Sequence, residues 1–164
     1  KLVTGVQTCA LPIYNFGVLL FRAKRYKEAS EQFTFAANDL SYERREVAWQ
    51  YLGLSALMLD DRIKAKSAFE RVLKLNPLAS EAALELADMA FEAQDYVTAN
   101  TYYQRFLRVL GSDPQSARSL WLGIRLARIN HDNNALASYE LALKRLYADS
   151  AEYQIYLKSL DNGS

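Results

Sequence analysis

The chain has 164 residues, of which 51% are hydrophobic, so it is long and apolar enough to form a folded domain. Its 20 Lys and Arg residues against 19 Asp and Glu give a net charge of +1, so a nucleic-acid partner, which usually needs a basic face, is not expected. No apolar run reaches the 18 residues of a membrane-spanning helix, and no signal-peptide pattern opens the chain. With only three Pro and six Gly, an all-helical protein is favoured.

Residues 1–13 differ from the rest of the chain. The segment KLVTGVQTCALPI has no helical period, and Val3–Ile13 resembles the conceptual translation of a sequencing adapter. We therefore interpret residues 1–13 as a non-native or disordered leader, which would make Cys9 an artefact and leave the true N-terminus outside this sequence. An ordinary disordered tail is the alternative. The folded domain is expected over residues 14–164.

The stretch Glu46–Pro77 carries the clearest pattern in the chain. Trp49, Gly53, Ala65 and Phe69 follow one another in the order and spacing of a tetratricopeptide (TPR) repeat, a helix-turn-helix unit of about 34 residues. The small residues would let two helices approach closely, while the aromatic rings fill the wider space between units. Neither helix could bury its apolar side alone, so the unit needs neighbours.

Three marker positions of this unit recur at offsets of 34 or 36 residues. They are Gly17, Gly53, Ala87 and Gly123; Ala29, Ala65, Ala99 and Ala135; and Phe33, Phe69, Tyr103 and Tyr139. The markers predict four helix pairs at about 14–40, 43–77, 79–111 and 114–147. A last helix at 150–160 would cap the array with Tyr153, Tyr156, Leu157 and Leu160. The predicted fold class is all-α: a TPR superhelix of four helix pairs plus a C-terminal capping helix, in a single domain.

Local signals predict where several helices begin. Asp61 is expected to cap the second helix of the reference unit. Asp113 followed by Pro114 is expected to open the fourth pair, because proline suits the first helical position. Asp149 and Glu152 resemble a capping box at the start of the last helix.

No catalytic constellation appears in the sequence. The chain has one histidine, His131, which lies in an Asn-rich turn, and one doubtful cysteine, so a zinc site is not expected. Phosphate-loop, nucleophile-elbow and HExxH motifs are absent from the sequence. We therefore predict no enzyme, no catalytic residue and no cofactor or metal site.

A TPR array binds partners mainly through the first helix of each pair, and counting from the reference unit identifies the expected groove. Its lining would be Tyr14, Val18 and Phe21; Gln50, Leu54 and Met58; Leu84, Asp88 and Phe91; and Leu120, Ile124 and Arg128. This mostly apolar lining favours a protein or peptide partner. The alternative is that some of these side chains pack against neighbouring helices, and the sequence does not decide between the two.

An acidic row runs along one helix edge in the third unit. Its members are Glu81, Glu85, Asp88 and Glu92. Spacings of three and four residues place like charges side by side, which is mildly repulsive. A solvated edge is the favoured interpretation; the alternatives are a basic partner segment or arginines of the next unit, Arg125 or Arg128.

Several segments go beyond the generic repeat residues. YNFGVLLFRAKRYKEA, ALELADMAFEAQDYVTANTYY, ARSLWLGIRLA (Ala117–Ala127) and ASYELALKRLYADSAEYQ resemble the type IV pilus biogenesis lipoproteins called PilF or PilW, with similarity from about Tyr14 to Tyr156. The resemblance implies a non-catalytic pilotin or stability factor on the periplasmic side of the outer membrane of a Gram-negative bacterium. Its partner would be the pilus secretin, whose localisation and assembly support twitching motility.

The lipid anchor of that family is not carried over to this chain. Cys9 does not follow the small apolar run that lipoprotein signal peptidase requires. Membrane attachment is therefore expected only through a lipid anchor absent from this chain. A general TPR interaction module of a larger, truncated protein is the alternative interpretation.

Overall fold

The computed structural model describes residues 10–161, which form nine α-helices and no strand. The helices are α1 Ala10–Arg22, α2 Tyr26–Asn38, α3 Arg45–Met58, α4 Arg62–Leu75, α5 Ser80–Glu92, α6 Tyr96–Leu110, α7 Ala117–Ile129, α8 Asn133–Leu146 and α9 Ala151–Asp161. The prediction of an all-α chain with four helix pairs and a last single helix is confirmed. The chain divides into two compact units at Ala82–Ala83, within α5, and each unit is described by itself.

Helix α1 begins at Ala10, before the predicted start of the first pair. Ala10 is buried and Ile13 packs on the core, while Pro12 lies in the first turn, where its missing N–H costs no helical hydrogen bond. Residues 10–13 are thus helical, although the sequence pattern assigned them to the leader. The remainder of that leader, with Cys9, lies outside the described residues, and its non-native origin stays a prediction.

The turn inside each helix pair has the same backbone form. Lys24, Asp60, Gln94 and His131 have φ between 54° and 62°, a left-handed conformation that is uncommon for residues other than glycine. These four residues precede α2, α4, α6 and α8 at equivalent places. The equivalence of the turns supports the repeat assignment independently of the side-chain markers.

Carboxylates cap three of the second helices. Asp61 Oδ1 accepts from the Lys64 N–H at 3.0 Å, as predicted, and Asp95 and Asp132 cap α6 and α8 in the same way. Such a cap satisfies one of the amide groups that the first turn of a helix leaves free.

Two predicted helix starts are wrong. Asp113 does not open α7, since its N–H bonds the Leu110 carbonyl and so completes the turn after α6. Ser116 caps α7 instead, where its Oγ accepts from the Ser119 N–H. At α9 the cap is Ser150 rather than Asp149, with Ser150 Oγ 3.1 Å from the Tyr153 nitrogen.

In the unit before the division, α1 to α4 pack small residues against aromatic rings. A Cβ added at Gly53 would lie 2.7 Å from the Phe69 ring, and one at Gly17 would lie 2.8 Å from the Phe33 ring. Phe33 is fully buried and stacks on Tyr51 with ring centroids 5.2 Å apart. At both places the aromatic marker packs against the glycine of its own helix pair, a contact that the sequence pattern did not predict, and Phe33 also reaches Tyr51 of the next pair, as predicted for the aromatic rings.

In the unit after the division, a small residue again packs against an aromatic ring, and here the ring carries a hydrogen-bonded hydroxyl group. A Cβ at Gly123 would collide with the Tyr103 hydroxyl, which lies 3.0 Å from the Ser119 carbonyl oxygen and 2.9 Å from Gln115 Oε1. Burial raises the pKa of Tyr103 well above its ordinary value, because a phenolate would lose its hydration there.

Helix α9 covers the last apolar core only with its aromatic side chains. Tyr153 and Tyr156 are half-buried on the core formed with α7 and α8, with ring centroids 5.8 Å apart. Leu157 and Leu160, predicted to share this task, remain exposed. The two longer aromatic side chains are the ones that reach this core.

Candidate binding surface

The predicted groove residues lie on the first helices of the pairs, but not all face solvent. Tyr14, Leu84, Leu120 and Ile124 are buried. Val18, Phe21, Gln50, Leu54, Asp88, Phe91 and Arg128 are half-buried, and Met58 is 56% exposed. Both possibilities left open by the sequence therefore occur: four of these side chains are core residues, and the others retain surface that a partner could contact.

The first unit presents what we name the α1–α3 face: Val18, Phe21, Gln50, Leu54 and Met58. Its composition is apolar with a single amide. Behind Phe21, the rings of Tyr26 and Tyr51 meet it edge-on, with centroids 5.3 Å and 5.6 Å away. Aromatic rings packed in this way limit the movement of the face, so a partner would meet a preformed apolar surface.

The corresponding α5–α7 face of the second unit is ionic. Arg118 donates two hydrogen bonds to Glu85, at 2.6 Å and 2.8 Å, and a third to Asp88 at 3.1 Å. The Glu85 side chain is only 8% exposed. The hydrogen bonds from Arg118 hold the pKa of that guanidinium above its ordinary value, because losing the proton would leave Glu85 unpaired.

Arg125 continues the same arrangement. Its two terminal nitrogens lie 2.8 Å from Asp88 and 2.7 Å from Glu92. Carboxylates of α5 and guanidinium groups of α7 therefore alternate along the face. We name this set, Glu85, Arg118, Asp88, Arg125 and Glu92, the arginine–carboxylate ladder.

The ladder overturns the favoured interpretation of the acidic row. Three of its four carboxylates are paired rather than merely solvated, and Arg125 is a partner as the alternative proposed. Arg128 is not; it lies 3.6 Å from Glu140 and donates to Ser159 Oγ. Arg118 was missed, although it follows Glu85 by about one repeat length, which is the signal that could have identified it.

Two guanidinium groups of α7, those of Arg125 and Arg128, lie over aromatic rings. The Arg125 guanidinium carbon lies 4.4 Å from the Phe91 ring centroid and 5.6 Å from that of Trp121. Arg128 lies 5.6 Å from the Tyr156 ring centroid. Stacking of this kind orients the cations and adds cation–π attraction to the ion pairs.

The two faces are chemically unlike. The α1–α3 face offers uncommitted apolar surface, whereas on the α5–α7 face most charge is already paired and Glu92 remains about half exposed. Over residues 10–161, no helix has the length and apolarity needed to cross a bilayer. Within the same residues, no three His, Cys, Asp or Glu side chains are grouped so as to hold a metal ion.

Comparison with known proteins identifies relatives of this chain. The chain is 43% identical over 140 residues to the type IV pilus assembly protein PilF of Pseudomonas aeruginosa strain PAO1. The chain is a homologue of PilF. The alignment covers 85% of this chain and 54% of PilF, so the chain spans about half the length of that relative.

Solved structures agree with the sequence match. A structure of P. aeruginosa PilF superimposes with a TM-score of 0.85 and 41% identity, over 92% of this chain and 66% of that one. PilW, described as a widely conserved type IV pilus biogenesis factor, gives a TM-score of 0.74 and 25% identity, over 90% of this chain and 67% of that one. No protein-family model matches the chain. The predicted TPR fold and the resemblance to PilF and PilW are confirmed.

Proposed function

We propose that this protein is a non-catalytic binding scaffold in type IV pilus biogenesis, which assists the localisation and assembly of the pilus secretin in the outer membrane. The homology to PilF supports the pathway. The observation that carries the binding role is the α1–α3 face, a preformed apolar surface on the first helices. A TPR protein uses such a surface to hold an extended or helical segment of another protein.

The proposal places the protein on the periplasmic side of the outer membrane of a Gram-negative bacterium, as part of the machinery for twitching motility. Its contribution to the partner is contact and orientation rather than chemistry. Apolar side chains such as Leu54 and Phe21 would supply most of the affinity, because burying apolar surface contributes about 25 cal/mol per Å². Gln50 would fix the register by a hydrogen bond to the backbone of the bound segment.

A general TPR interaction module within another assembly is the alternative. The two functions differ in their predicted partner, since only the first requires specific contact with the secretin. A full-length gene that encoded a fused catalytic domain would favour the alternative. Co-purification of the protein with the pilus secretin is therefore the direct experiment.

Two aspartate substitutions test which face is used. We expect Leu54→Asp to weaken secretin binding at least about tenfold, because a carboxylate would be desolvated in an apolar contact. Phe91→Asp tests the α5–α7 face in the same assay. Val97→Asp, at a highly exposed position of α6, is the matched control and should change nothing.

Helicity measured by circular dichroism must stay intact for each variant, so that lost binding is not confused with unfolding. Unchanged affinity in both Leu54→Asp and Phe91→Asp would count against binding through the first helices. Absence of secretin from the unmodified complex would count against the function itself.

A further inference from the structure

We draw no further inference here: the strongest candidate, the apolar surface patch that the exposed Phe16 and Leu19 form on α1, carries nothing, because nothing among the described residues shows what covers it.

Discussion

The α1–α3 and α5–α7 faces occupy equivalent helices of a repeated pattern, yet they are stabilised differently. Where the first presents Gln50 and Leu54, the second has Leu84 and Asp88 at the corresponding positions. The first face is supported from behind by aromatic rings, and the second by ion pairs across helices. The repeat pattern therefore determines how helices pack, while the residues between its markers decide what each face can bind.

The difference also separates the energetic roles of the two faces. Apolar surface that is left open on the α1–α3 face can still be buried by a partner. Most hydrogen-bonding groups of the ladder already have partners within it, although the buried Arg125 Nε has none among residues 10–161. A partner therefore gains little by contacting the paired charges and would have to desolvate them. We expect the α1–α3 face to bind a partner and the α5–α7 face to stabilise its own unit. Substitutions in both units test this expectation, from the largest expected effect to the smallest.

The largest expected effect is loss of the aromatic support in the first unit. Phe33→Ala should lower the free energy of unfolding by about 4 kcal/mol, because it removes a fully buried ring and leaves a cavity between Gly17 and Tyr51. Urea unfolding followed by circular dichroism measures it, and the loss should not depend on salt.

Phe35→Ala on the same helix is the matched control, since that ring is 67% exposed and its removal should cost less than about 0.5 kcal/mol. Equal losses for Phe33 and Phe35 would contradict the assignment of Phe33 to the core.

Breaking the ladder should have the next largest effect. Arg118→Ala leaves the Glu85 carboxylate buried without its bidentate partner, and we expect a loss of about 3 kcal/mol in the free energy of unfolding. Adding Glu85→Ala should recover part of that loss, because the uncompensated charge is then gone. A double-mutant cycle in urea measures the coupling.

Arg25→Ala is the control for this cycle, since Arg25 pairs with Glu28 on the exposed surface and its removal should leave the urea midpoint almost unchanged. If Arg118→Ala were no worse than Arg25→Ala, the ladder would be an ordinary surface feature.

Overpacking of the helix contact should have a moderate effect. Gly53→Ala places a methyl group against the buried Phe69 ring and should cost about 2 kcal/mol, since neither helix can withdraw without losing other contacts. Thermal and urea unfolding check the value. Adding Phe69→Leu to the Gly53→Ala variant should recover part of the lost free energy of unfolding, because the smaller side chain leaves room for the methyl group. If the effects of the two substitutions simply add, the two residues do not share the contact.

The smallest effect appears only in alkali. Because the pKa of Tyr103 is raised in the folded chain, the folded state keeps a proton that the unfolded state releases near pH 10. The stability that this group contributes is complete below that pH and is lost as the pH rises further. Urea midpoints at increasing pH, with tyrosinate absorbance, follow the loss.

Tyr103→Phe should flatten this alkaline decline, at the cost of the hydrogen bonds to Gln115 and Ser119. Tyr96→Phe, at a position whose ring is not fully buried, serves as the comparison. An identical alkaline decline in Tyr103→Phe would exclude this tyrosine as its source.

Most of the fold could be predicted from the sequence, because the patterns that indicate it are local or strictly periodic. Gly53 and Phe69 recur at a fixed spacing and lie where two helices meet. Asp61 indicates the start of a helix, because it caps that helix by a hydrogen bond to a residue three positions away. The starts of α7 and α9 were misjudged, because Asp113 and Asp149 are as suitable for capping as the serines that do it. Which polar residue caps depends on the path of the preceding turn.

The candidate binding surface could be predicted from the sequence only in part. Counting from the reference unit located the first helices, but it could not separate the buried Ile124 from the half-buried Leu54, because both are apolar at equivalent places. The sequence by itself determined the repeat, the helix pairs and the resemblance to pilus factors, since these depend on residue type and spacing. Only the tertiary structure decided that Arg118 and Arg125 pair with three carboxylates of the acidic row, because pairing depends on distances between side chains of different helices.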